Sequence, residues 1–229
     1  MGNDTPRHDI LHPLSNLKPP RRGFEPFHKY FSPESIQYPF KPNMKLLFAL
    51  MPYLCRTRKS PDIVLCPLAG VGAAPIIVLA YYTHGTTVVA WEDDEKWRKI
   101  LEENFTRNEF CRGRWIIAPM ESLREEVGDS AIFCLEPEND YGEFIKQTAN
   151  ILSLLYEKLK KGSPVVIVSR RLEIDFDETL YTELLLEEAI QWLDLYTIVQ
   201  VATVAAKPPQ RRLYNREAQK DVFAIIKRK

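Results

Sequence analysis

Leu65-Cys66-Pro67-Leu68-Ala69-Gly70-Val71-Gly72-Ala73-Ala74 is the stretch on which the reading of the fold turns. The apolar run from Asp62 to Cys66 reads as a buried strand, and the apolar run from Ala73 to Tyr82 behind it reads as a helix. Between them Gly70 and Gly72 let backbone approach a ligand closely, and the helix start offers N–H groups that lack partners within the helix. About 20 residues on, Trp91-Glu92-Asp93 closes the next apolar run, where a carboxylate can accept hydrogen bonds from ribose hydroxyls. Together these features point to an adenosine-containing cofactor lying across Pro67 to Gly72, with Pro67, Ala69, Gly70 and Gly72 beneath it and Glu92 and Asp93 at the ribose. A plainer arrangement uses the same residues: a glycine turn that serves only strand–helix packing, and a solvated acidic helix start over 92–95.

Working outward, strands are expected at Thr86 to Trp91, Arg114 to Ala118, Ala131 to Leu135 and Pro164 to Ser169. Helices are expected at Asp94 to Phe105 and Tyr141 to Leu159. Continuous apolar strands separated by helices imply a parallel sheet covered on both faces. After a further helix, Thr179 to Leu193, come two apolar runs, Tyr196 to Ala205 and Val222 to Ile226, with a polar connection and no helix between them. Such a pair must run antiparallel, because a parallel neighbour needs a crossover. Upstream, Met44, Leu47, Phe48, Met51 and Leu54 follow helical spacing and predict one amphipathic helix over 43–54. The expectation is therefore an α/β domain over 43–229, with a Rossmann-like seven-stranded sheet ending in an antiparallel hairpin.

Residues 1–42 differ in character. Pro6, Pro13, Pro19, Pro20, Pro26, Pro33, Pro39 and Pro42 interrupt any long periodic element, and Arg21, Arg22, Lys29 and Lys41 are interleaved with Phe24, Phe27, Tyr30, Phe31 and Tyr38. Such an arm suits either phosphate contact and base stacking on nucleic acid or the pinning of aromatics across the domain. A second basic group comprises Arg170-Arg171 and the segment from Lys207 to Arg216. The chain as a whole is neutral, with 31 basic and 31 acidic residues in 229, so its net charge names no partner.

The four cysteines, Cys55, Cys66, Cys111 and Cys134, form no C-x-x-C pair, and they read as reduced thiols rather than disulfides or a zinc site. No apolar run approaches the roughly 20 residues that span a bilayer. No apolar segment follows Met1 in the manner of a secretory signal, so a cytoplasmic protein without membrane partners and without metal is expected. His28 and His84 lack any accompanying triad or metal-binding pattern and read as surface residues.

The glycine stretch, with the hairpin that follows five βα units, resembles the class I S-adenosylmethionine-dependent methyltransferases. Cys66-Pro67-Leu68-Ala69-Gly70-Val71-Gly72-Ala73-Ala74 is similar to the D-P-F-A-G-S-G-T-T motif of enzymes that methylate adenine-N6 or cytosine-N4 in DNA and of related RNA amino-methyltransferases. Lys29-Tyr30-Phe31-Ser32-Pro33-Glu34 resembles their upstream Y-x-T-P segment, and Asn104-Phe105 resembles the N-L that closes a later helix. Cys66, Leu68, Val71, Ala73 and Ala74 replace the motif's Asp, Phe, Ser and two Thr.

In that family the fourth strand ends in D/N/S-P-P-Y/F, where the polar residue accepts hydrogen bonds from the target amino group and the aromatic stacks on the base. The corresponding residues here are Glu136-Pro137-Glu138-Asn139-Asp140-Tyr141. The resemblance thus implies S-adenosylmethionine as cofactor, Glu136, Pro137 and Tyr141 as catalytic residues, and RNA or DNA as substrate. Only about 25 residues lie between Tyr141 and the strand at Pro164, so a DNA enzyme of this type would need a protein partner to supply target recognition. Two other readings stay open: a degenerate relative that binds nucleic acid or scaffolds a partner without catalysis, and a nicotinamide-dependent oxidoreductase.

Overall fold

A computed structural model describes residues 30–38, 42, 44–57, 59–135, 141–170, 182–205 and 220–229. Its strands are β1 (Ile63–Cys66), β2 (Thr87–Ala90), β3 (Trp115–Ile117), β4 (Ser130–Leu135), β5 (Pro164–Arg170), β6 (Tyr196–Ala205) and β7 (Lys220–Arg228). Its α-helices are α1 (Met44–Leu50), α2 (Ala73–Tyr81), α3 (Glu95–Arg107), α4 (Tyr141–Lys158) and α5 (Thr182–Leu193). All seven strands join one sheet in the order β3-β2-β1-β4-β5-β7-β6. The first five run parallel, and β7 lies antiparallel to both β5 and β6. The terminal hairpin is present as expected, with the last strand inserted between β5 and β6 rather than at the sheet's edge.

Both faces of the sheet are covered, and this is why the strands carry no polar alternation. Val64 and Cys66, Ile132, Val166 and Val168 face a core shared with α1, α2 and α3. Leu65, Phe133, Val165 and Ile167 face a second core shared with α4 and α5. Helix α2 is buried over Ala73 to Leu79 because it is wedged between the sheet and its helical neighbours. Pro75 is tolerated there because it lies in the first turn, where an N–H would have no helical partner.

Several expected boundaries change. The helix over 43–54 is α1 followed by a 3₁₀ turn, Met51–Leu54, because Pro52 has no N–H to continue the α-helical ladder. Strands β2 and β3 are shorter than their apolar runs, and β7 is longer, since ladder pairing rather than hydrophobicity sets strand ends. The crossover from β3 to β4 carries only a 3₁₀ turn, Met120–Ser122.

Among the upstream residues, Tyr30 to Tyr38 pack on the domain. Phe31 is buried in the core shared with α2 and α3, and Pro33–Gln37 form a 3₁₀ turn with Ser35 fully buried. Residues 1–29 lie outside the described residues. At the opposite end of the sheet from the strand C-termini, Arg114 gathers the carbonyls at the end of α2. Its guanidinium donates to Leu79 O at 3.2 Å, Thr83 O at 3.3 Å, Thr86 O at 3.1 Å, Phe110 O at 3.1 Å and also to Tyr82 O.

Candidate cofactor and active site

The strand order reverses between β1 and β4. From β1 the chain proceeds to β2 and β3 on one side, whereas β4 and β5 lie on the other. Such a switch point opens a crevice beyond the carboxyl ends of the two strands, because their following connections leave in opposite directions. A narrow, solvent-open cleft occupies this place, and its walls include Pro67, Leu68, Ala69, Val71, Ala73, Phe133 and Cys134.

The glycine stretch forms the floor. After β1 the Ala69 N–H donates to Trp91 O at 2.8 Å, and Gly72 N–H donates to Ala69 O at 2.8 Å, so the turn is tied to the end of β2 and folded back on itself. Leu68, Gly70 and Gly72 all adopt left-handed backbone, with φ of 50°, 54° and 99°. For Leu68 this conformation costs about 1 to 2 kcal/mol, a strain retained beside the cleft. Gly72 caps the start of α2, and a Cβ there would lie 2.7 Å from Leu101 Cδ1. Gly70 is glycine for a reason the sequence did not supply: a Cβ would collide with the ring and hydroxyl of Tyr38, which lies directly over the turn.

Glu92 follows β2 and reaches into the turn. Its Oε2 accepts a hydrogen bond from Gly70 N–H at 2.7 Å, and its Oε1 accepts one from Asp94 N–H at 3.1 Å. Burial pushes the Glu92 carboxyl upward from its ordinary range; the two N–H donors oppose this, and the neighbouring charges of Asp93 and Asp94 add to it. Asp93 is exposed and accepts from the Trp91 indole at 2.8 Å, while Asp94 caps α3 by accepting from Lys96 N–H and Trp97 N–H. The acidic run therefore divides its work, with Glu92 tied to the glycine turn and Asp94 serving the helix. Burial, with Cys134 nearby, pushes the Cys66 thiol well up, so a neutral thiol stands where the resemblance has an aspartate.

The structure thus brings Pro67 and Ala69 to the strand-end crevice, with Gly70 and Gly72 in the turn beside it and Glu92 hydrogen-bonded to that turn. Glu136 and Pro137 lie outside the described residues, as do Arg171 and the segment 207–216; Tyr141 is the first residue of α4. His84 is exposed in the turn ahead of β2, at the other end of the sheet from the cleft. Sequence reasoning did not single out Tyr38, Phe133 or Cys134 as cleft residues. Tyr38 stood only among the arm's aromatics, and Phe133 and Cys134 read as ordinary strand residues, since nothing local marks which strand residues reach the crevice.

No protein-family model matches the sequence, and no curated protein does. Similarity is found among solved structures. TrmN from Thermus thermophilus superposes with a TM-score of 0.58 at 16% identity, over 81% of this chain and 48% of TrmN. PH1948 from Pyrococcus horikoshii, described as a putative RNA methyltransferase, gives 0.53 at 16% identity, over 94% of this chain and 92% of its own. TYW2 of P. horikoshii, in complex with MeSAdo, gives 0.53 at 13% identity, over 84% and 66%. The chain spans about half the length of TrmN. At these identities the likeness establishes the fold, the Rossmann-like seven-stranded sheet of class I methyltransferases with its inserted antiparallel strand.

Proposed function

We propose that this chain is an S-adenosylmethionine-dependent methyltransferase acting on an amino group of nucleic acid, with RNA favoured over DNA. The observation that carries the reading is the meeting, at the β1/β4 switch point, of the left-handed Gly70–Gly72 turn with the Glu92 carboxylate. This donor set fits an adenosine-bearing cofactor. Gly70 N–H and the Glu92 carboxylate satisfy each other and become available together to a ligand, and the remaining walls are apolar enough to accept an adenine ring.

The cofactor, when bound, supplies an activated methyl group on a sulfonium. Pro67, Ala69, Gly70 and Gly72 support it from below, and Glu92 and Asp93 serve the ribose. Glu136 and Pro137, which follow β4 directly in sequence, hold the accepting amine by taking its hydrogens, so that the nitrogen lone pair faces the methyl carbon. Tyr141 stacks on the base. Such a transfer needs in-line placement more than acid–base help, so positioning is the main contribution of these residues.

The nucleic-acid substrate is supported by PH1948, which matches nearly the whole chain, and by the resemblance of 66–74 and 136–141 to amino-methyltransferase motifs. Only Leu159 to Ser163 separate α4 from β5, so no target-recognition domain is inserted there. Recognition then falls to RNA shape or to a protein partner. The non-catalytic reading draws on one observation, the packing of Tyr38 on Gly70. Calorimetry with S-adenosylmethionine, followed by radiolabelled methyl transfer to RNA and DNA, tests both. Binding with transfer supports the enzyme, binding without transfer to any nucleic acid supports the non-catalytic relative, and absence of binding overturns the cofactor.

A further inference from the structure

We propose that Asn104 is a positioning residue for the cofactor cleft, fixing residues 32–38 against the glycine turn so that Tyr38 forms the cleft's outer wall and contacts the bound nucleoside. The inference rests on the cofactor reading above. Asn104 lies on α3 and is fully buried, and three segments of chain meet on its amide. Its Oδ1 accepts from Ser32 N–H at 2.7 Å, and its Nδ2 donates to Ser35 Oγ at 2.9 Å and to Val71 O at 2.8 Å. Val71 stands between the two glycines, so a single side chain joins the turn under the cleft to the segment upstream of the sheet.

The connection continues to Tyr38. Ser35 O accepts from Tyr38 N–H at 3.2 Å, which makes Tyr38 the cap of the 3₁₀ turn that Asn104 holds. One turn further along α3, Asn108 donates to Tyr30 O at 2.8 Å and to Asn104 O at 2.7 Å, securing the start of the same segment. At the cleft the Tyr38 ring packs edge-on against Trp97, with centroids 5.0 Å apart and an interplanar angle of 84°. Tyr38 is therefore held from its backbone by the turn and from its ring by α3, and it lines the same crevice as Pro67, Ala69 and Phe133. An aromatic wall fixed in advance adds contact to a nucleoside without an ordering cost at binding. Replacing the amide by Ala leaves Ser32 N–H and Val71 O without these bonds, and burial makes that loss expensive. The turn then loosens from the arm, and Tyr38 loses its place.

The test is calorimetric titration of the full chain with S-adenosylhomocysteine, alongside thermal unfolding, for wild type, Tyr38→Ala, Ser35→Ala, Asn104→Ala and Asn104→Ala/Tyr38→Ala. Tyr38→Ala is expected to weaken binding about tenfold, the size of a lost aromatic contact. Asn104→Ala weakens it comparably, and the double variant binds no more weakly than the weaker single one, because Asn104 acts through Tyr38. Asn104→Ala lowers the unfolding midpoint in either case, whereas a merely structural Asn104 would give binding losses that add to those of Tyr38→Ala. If Asn104→Ala does not fold, Ser35→Ala, which keeps the bonds to Ser32 and Val71, takes its place in the cycle. Unchanged or tighter binding by Tyr38→Ala, or additive losses, overturns the inference. Failure of the wild type to bind overturns the cofactor reading and this one with it, whereas equal binding by wild type and all variants overturns this one alone.

Discussion

The Gly70 N–H donates to Glu92 Oε2 at 2.7 Å, so the end of β2 closes the turn that follows β1. Gly70 adopts left-handed backbone in this turn, and the part-buried bond to Glu92 satisfies its donor. The carboxylate makes this bond at a desolvation cost that shows as an upward shift of its own titration. A ligand that takes over one of these hydrogen bonds exchanges partners rather than creating them.

The upward shift has a pH consequence. A carboxyl that binds its proton more tightly when folded contributes most to stability below its unfolded value and loses that contribution as pH rises through the folded value. Glu92→Gln removes the buried charge but offers one acceptor oxygen to two N–H donors, so its unfolding midpoint should gain on that of the wild type as pH rises from about 4 toward neutral. The same variant should weaken S-adenosylmethionine binding by about tenfold through loss of charge-assisted hydrogen bonds. Thermal melts across this pH range, paired with calorimetry, check the two effects; a midpoint difference independent of pH would refute the burial argument.

The two glycines of the turn should fail differently. Gly72→Ala places a Cβ in left-handed backbone and 2.7 Å from the buried Leu101, and it should cost roughly 2 kcal/mol or more in denaturant unfolding. Gly70→Ala shares the left-handed strain and presses on the Tyr38 ring instead, so it should weaken cofactor affinity as well as stability.

Glu136→Ala should reduce methyl transfer far more than cofactor affinity, because its proposed partner is the accepting amine and not the sulfonium. Single-turnover transfer on RNA and calorimetry of the same variant separate the two. Equal turnover in wild type and variant excludes Glu136 from catalysis.

At the other end of the sheet, Arg114→Lys keeps the charge but loses the planar fork that serves five carbonyls. Carbonyls left unpaired near the end of α2 should lower stability by about 1 to 3 kcal/mol. S-adenosylhomocysteine affinity should stay at the wild-type level, since the cleft lies at the opposite strand ends.

The sequence alone determined the sheet's composition and the direction of its strands. Buried parallel strands must be continuously apolar, as Val64-Leu65-Cys66 and Val165 to Val168 are, and a polar connection with no helical pattern between the last two apolar runs implies the antiparallel pair that β6 and β7 form. It also located the glycine turn and Glu92, because a strand–turn–helix with an acidic residue about 20 positions later is a local pattern. Tertiary structure alone decided that β7 enters between β5 and β6, since lateral order depends on which ladders and faces compete. It alone decided as well that Tyr38, separated from Gly70 by 31 intervening residues of chain, covers that glycine. Asn104 and Tyr38 carry no pattern of their own; what joins them is one buried amide with partners on two distant segments, and such partners become neighbours only when the chain is folded.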